Sequence, residues 1–194
     1  RAIFRRRAMI SASEAQKALA GAFRLAQLDP RGMDYFDTSL GGVWKSFAAA
    51  ALVLPGHAAV YLLARGDLEL PLWRLAAIGL IAYVISWVAL PLAMAGICEL
   101  LDRRQRYFGF IVANNWGAVV QTMLLVPIAV LRMGGGSVAA LLYLAAVIAA
   151  LVYGWFIART SLQVDGFTAA GLVVFSLLLD LFVQGLGDVI LLRE

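Results

Sequence analysis

The chain has 194 residues, 63% of them hydrophobic and 14% charged, with a formal net charge of +4 and a mean hydropathy of +0.87. A soluble domain carries about 25% charged residues, so this chain lacks the polar surface to enclose its apolar fraction in water. A single cysteine, Cys98, leaves no disulfide framework and no cysteine metal knuckle, and the positive charge comes without the motifs of a nucleic-acid binder.

The chain opens on RAIFRRRA, with Arg1, Arg5, Arg6 and Arg7 clustered. No apolar core of a signal peptide follows, which argues against a cleaved secretory signal. An Arg-rich, Ser-containing start also imitates an organelle transit peptide; Glu14, Asp29 and Asp34 weigh against that, and Met9 is a competing start. Residues 11–30, SASEAQKALAGAFRLAQLDP, predict a helix. Ser11 and Glu14 stand at capping-box spacing, and Pro30 closes the segment. Ala15, Ala18, Leu19, Ala22, Phe23 and Ala26 fall on one side, with Lys17 and Arg24 off it. That pattern suits an amphipathic helix lying among lipid headgroups; a helix packed on the inner loops is the alternative. The linker that follows holds Asp29, Asp34 and Asp37. Three acids suggest a divalent metal, but no spacing matches a calcium loop, and turn chemistry accounts for them better.

Five apolar runs follow, over residues 44–64, 74–98, 109–131, 137–157 and 167–192. Each is near or above the ~20 residues a helix needs to cross hydrocarbon. They are apolar on nearly every face, whereas barrel strands are short and alternate. The predicted fold is all-α: a polytopic integral membrane protein of five transmembrane helices preceded by an amphipathic interfacial helix. Residues 1–43 form a basic N-terminal segment and residues 44–194 the membrane domain. The connections are short, and the RMGGGS turn lacks the Lys-Ser/Thr of a phosphate loop.

Twelve of the sixteen Lys and Arg residues fall on the side of the N-terminus and four on the other. The positive-inside rule then predicts a cytoplasmic N-terminus and an outside C-terminus. A bacterial-type inner membrane is expected from this and from the Ala, Gly and Arg richness, with anionic lipid favoured at the inner face.

Polar residues inside spans are costly, at ~2.5–3.5 kcal/mol for a mid-membrane charge. The candidate intramembrane polar site is His57, Asn114, Gln121, Asp180, Gln184 and Asp188. On the last span Ser176, Asp180, Gln184 and Asp188 advance about 40° per step and form one stripe. Asn114 and Gln121 share a face of the third, with Asn115 beside them. His57, Gln121 and Asp180 are expected in one layer, with the stripes facing each other and the fourth helix facing lipid. The acids are tolerable there if they look inward or if Asp180 keeps its proton. Pro55, Pro91 and Pro127 predict kinks.

Catalysis finds little support: no metalloprotease, hydrolase or dinucleotide motif occurs, and Ser86 or Ser176 with His57 is the one nucleophile–base arrangement left open, with nothing to favour it. A non-catalytic scaffold or accessory subunit is expected, with no cofactor. The expected partners are the bilayer and a membrane protein or second copy; nucleic acid is not expected. The alternative is a small transporter or proton pathway through the mid-membrane polar residues. The order of inner N-terminus, five spans and outer C-terminus resembles that of the Yip1-like membrane proteins in topology alone. No motif is shared residue by residue, so the resemblance implies no activity. Single cysteines placed at Gln105 and Gly135 are expected to react with an impermeant thiol reagent from opposite sides of the membrane. Labelling from the same side would overturn the five-span threading.

Overall fold

The computed structural model describes residues 10–65, 68 and 70–192. All elements among them are helical: α1 (Ala12–Ala26), a 3₁₀ turn (Pro30–Tyr35), α2 (Leu40–Ser46), α3 (Ala48–Leu63), α4 (Leu72–Leu100), a second 3₁₀ turn (Arg104–Arg106), α5 (Tyr107–Met133), α6 (Ser137–Leu162) and α7 (Gly166–Leu192). Five stretches are long and apolar enough to cross a membrane. They are Leu40–Leu63, which runs through α2 and α3, then Leu72–Leu100, Arg104–Met133, Ser137–Leu162 and Gly166–Leu191. The five-span architecture follows, with the first span beginning at Leu40 rather than Trp44. The cluster of Arg1, Arg5, Arg6 and Arg7, as well as Met9 and Arg193, lies outside the described residues.

Alternating directions place α1, the α4–α5 turn and the α6–α7 turn at one end of the bundle, the near end. The α3–α4 and α5–α6 connections lie at the far end. Side chains tie each end together: Arg106 Nη2 donates to Gln163 Oε1 at 2.7 Å across the near end, and Arg65 meets Asp188 at the far end.

The capping box of α1 forms, with Glu14 N donating to Ser11 Oγ at 3.2 Å and Ser11 N to Glu14 Oε2 at 2.8 Å. The helix stops at Ala26, before Pro30, because Leu28 turns into the left-handed region (φ 59°). Pro30 instead opens the 3₁₀ turn, where its missing N–H costs nothing. The inward face is also rotated from the expected one. Ala18 and Ala22 are buried, but Leu25 joins them and Phe23 is exposed. Protein covers that face: Tyr153 of α6 donates its hydroxyl to the Ala22 carbonyl at 2.8 Å. Gly21 and Gly32 let the helix and the 3₁₀ turn meet backbone to backbone, since a methyl on Gly32 would come within 2.5 Å of the Gly21 oxygen.

α5 is the central strut, touching α1, α2, α3 and α6. From Gly109 to Gly117 it is buried at every position except Asn114. Between membrane helices water supplies no hydrophobic drive, so close van der Waals packing at small residues must hold them. Gly117 accepts Ile157 and Tyr153 of α6, while Gly56 of α3 sits against Thr122 and Val126 of α5. The turn of α5 into α6 needs glycine for another reason, as Gly135 and Gly136 have φ of 82° and 99°. α7 starts on Asp165, whose carboxylate accepts from the backbones of Phe167 (2.9 Å) and Thr168 (3.0 Å). The Thr168 hydroxyl and these N–H groups hold the Asp165 carboxyl below the usual carboxylate range.

Lys45 of α2 pairs with Glu14 of α1 at 2.6 Å. That bond, with the Ser11 cap, pulls the Glu14 carboxyl from 4.5 down to about 2. Because the folded value is the lower one, the charged pair contributes fully above about pH 4.5 and is lost as pH falls toward about 2. Protease nicking of the segment before α2 is therefore expected to rise through that window, and Glu14→Gln should remove its Glu14-dependent part.

Candidate functional site

Three helices converge at the far end. His57, Tyr61 and Arg65 follow one another at four-residue spacing, which stacks them on one face of α3 and the turn beyond it. Tyr83 and Ser86 come from α4, and Gln184 and Asp188 from α7. Together they line a cavity of about 20 Å³, room for a single water.

The Arg65 guanidinium closes this cluster. It donates to Asp188 Oδ1 from Nη2 at 2.6 Å and from Nε at 3.1 Å. The same group lies 4.2 Å over the Tyr61 ring, a cation–π contact that helps to fix its direction. Tyr61 can stand there because Gly79 of α4 has no side chain; a methyl would come within 2.6 Å of the ring. The His57 ring is 4.8 Å from that of Tyr83 and 6.2 Å from that of Tyr61. Tyr83 is itself anchored, donating to the Ala50 carbonyl at 2.6 Å.

The remaining candidates are elsewhere. Gln121 donates to the Ala150 carbonyl of α6 at 3.1 Å. Asn115 donates to Ser46 Oγ at 2.9 Å, and Ser46 passes the chain on to the Val43 carbonyl at 2.7 Å. These amides join α5 to its neighbours, in the way membrane helices use polar side chains. Asn114 is half-buried. The stripes of α5 and α7 therefore do not pair with each other, and His57 is grouped with Gln184 and Asp188 rather than with Gln121. The physical reason is that α5 spends its polar groups on α2 and α6, which pack directly against it. α6 faces outward along Leu141, Leu144 and Ile148, but buries Ala146, Tyr153 and Ile157.

Asp180 is exposed. At 100° per residue it nevertheless falls within the arc of α7 that carries the buried residues Ala169, Leu172, Val183 and Leu191. The residue thus lies on the bundle side of α7 and is still exposed. Near-end contacts hold α7 to α6: Val173 beside Gly154, and Gly166 against Trp155. Farther along, Gly187 lies on Ala82 and Ile78 of α4. Asp180 stands between these two attachments, with Leu177 and Leu181 exposed at its side. Neither Asp180 nor Gln184 forms a hydrogen bond or ion pair with the described residues.

Among the described residues no three His, Cys, Asp or Glu side chains gather as a metal site. In the linker, Asp29 pairs with Arg31 at 2.9 Å and Arg24 at 3.4 Å. The Arg31 bond lowers the Asp29 carboxyl below the usual range. Asp37 Oδ1 accepts from Ser39 N at 3.0 Å.

Sequence reasoning misses Arg65, Tyr61 and Tyr83, and sets Ser86 beside His57 only as an unfavoured nucleophile–base arrangement. The His57–Tyr61–Arg65 spacing is a legible signal; the α4 pair follows only from packing. No family model, curated protein or solved structure matches the chain.

The side chains of Arg65 and Asp188 are 19% and 46% exposed, so the pair lies between a surface bridge and a buried one. A double-mutant cycle of Arg65→Gln and Asp188→Asn, read by unfolding in detergent, is expected to give a coupling of about 1 kcal/mol.

Proposed function

We propose that this membrane protein is a non-catalytic accessory or scaffold subunit that receives a partner helix beside α7. The observation that carries this is Asp180: an accessible carboxyl midway along a span, unbonded among the described residues. A charge at that depth costs ~2.5–3.5 kcal/mol even on the gentler scale. A partner helix offering a hydrogen-bond donor between α6 and α7 removes that cost, and exposed Leu177 and Leu181 supply apolar contact around it.

The orientation we propose has the near end in the cytoplasm of a bacterial-type inner membrane. Among the described residues eight Lys and Arg lie at the near end (Lys17, Arg24, Arg31, Lys45, Arg103, Arg104, Arg106, Arg159) and three at the far end (Arg65, Arg74, Arg132).

A second reading, a proton or ion pathway, draws on the far-end cavity, where Gln184 and Asp188, one and two turns beyond Asp180, meet His57 and Ser86. Against it, that cavity admits about one water, and the near half of α5 is filled by Trp116, Ile111 and their neighbours.

A photo-crosslinker at Leu181 in native membranes is expected to capture a polypeptide in the parent protein and to lose it in Asp180→Leu. Asp180→Asn, which keeps size and hydrogen-bonding capacity, should retain the crosslink. The opposite result, capture of lipid alone together with pH-dependent flux in vesicles that Asp180→Asn abolishes, would replace the subunit by the pathway.

A further inference from the structure

A second, larger cavity of about 230 Å³ lies at the near end, where α1, the first 3₁₀ turn, α2 and α5 meet. Nothing in the polar site of the far end reaches it. Its floor is apolar, from Ala18, Phe36, Val112 and Trp116, and its charged lining is Glu14, Lys17, Asp37 and Lys45.

Three features give it the character of a built site. Trp116 is 2% exposed, yet its indole N–H has no hydrogen-bond partner among the described residues. No fully buried side-chain nitrogen or oxygen there lacks a partner, so the indole nitrogen keeps a little surface, on a residue that lines this cavity. Trp116 stands nine residues into α5, about 14 Å from its start at 1.5 Å per residue, so the cavity it lines extends that far along the helix.

The charges at the mouth are balanced but unequal in availability. Lys45 and Glu14 satisfy each other at 2.6 Å. Lys17 has no ion-pair partner among the described residues. Asp37 gives one oxygen to Ser39 N and no ion pair to a base. One cation and one anion therefore remain for a ligand. The Asp37 backbone is held over α2 because Gly42 has no side chain; a methyl there would run into the Asp37 carbonyl. Around the mouth, Leu40 and Trp44 are exposed, as residues that meet the lipid interface are.

We propose that this cavity binds the headgroup of a zwitterionic lipid with a primary ammonium, its phosphate on Lys17, its ammonium on Asp37 and an ester carbonyl accepting from the Trp116 N–H. A purely anionic headgroup would leave Asp37 as an unopposed repulsion. A trimethylated one has no N–H to donate to that carboxylate.

The test is native mass spectrometry of the full chain in detergent with equal amounts of phosphatidylethanolamine, phosphatidylcholine and phosphatidylglycerol. Retention of one phosphatidylethanolamine per chain is expected, about tenfold over either competitor. Asp37→Asn should bring the ethanolamine-to-choline ratio close to one, while Lys17→Gln should weaken both about tenfold. Both are exposed positions, so the bundle should stay folded; Trp116→Phe, which should also weaken binding, is the riskier variant. Equal retention of the three lipids, a preference for phosphatidylglycerol, or an unchanged ratio in Asp37→Asn would overturn the proposal. Displacement of bound lipid by free phosphoethanolamine at comparable concentration would overturn the assignment to a lipid.

Discussion

Hydrocarbon satisfies no backbone group and gives apolar side chains no reason to prefer one another over lipid. The bundle therefore depends on how closely its helices can approach, and that is decided along the near half of α5. Gly109 and Gly117 there allow neighbouring elements to press in, and Asn115 adds a buried bond to Ser46 that ties α5 to the opening of the first span. α1 completes this packing from outside the spans, where water does supply a hydrophobic drive and Leu25 and Ala22 are fully buried. A methyl group at Gly117 would meet Ile157 at 2.6 Å, which shows how little slack the assembly has at that level.

The two ends differ in kind. Near-end helices close around Ile111, Ile157 and Leu162, leaving the cavity beside Trp116 between α1, α2 and α5. Toward the far end the spans are held by fewer, more polar links: Arg65 to Asp188, the Tyr61 ring on Gly79, and Gln121 on the Ala150 carbonyl. This gradient explains why Asp180 can lie on the bundle side of α7 and still be exposed.

The five spans are legible in the sequence because a crossing helix must be long and apolar in one unbroken run, and each run here is bounded by charge, Pro or Gly. The capping box of α1 is legible for a similar reason, since its chemistry is local. Its stopping point and its inward face are not: Leu28 adopts a positive φ that its residue type does not announce, and Phe23 yields its place to Leu25 because Tyr153, more than a hundred residues away, takes the Ala22 carbonyl. Helical spacing groups Ser176, Asp180, Gln184 and Asp188 on α7. It cannot say which neighbour they meet, so Tyr83 emerges only from the packing and Arg65 is legible only as part of the His57–Tyr61–Arg65 spacing. Conversely Asn115, which reads as a mere neighbour of Asn114, is the buried member of the pair because α2 happens to present Ser46 at its depth.

The bond from Tyr153 to Ala22 joins residues 131 positions apart, and this has a bearing on how the protein is made. α1 emerges from the ribosome first, but its seat is built from α5 and α6, which emerge after two spans have already been synthesised. Until then only the first 3₁₀ turn, through Gly32 against Gly21 and Leu25, is at hand to cover the alanine and leucine side of α1. Seating of α1 on α5 and α6 then marks the moment when the near end of the bundle has been assembled.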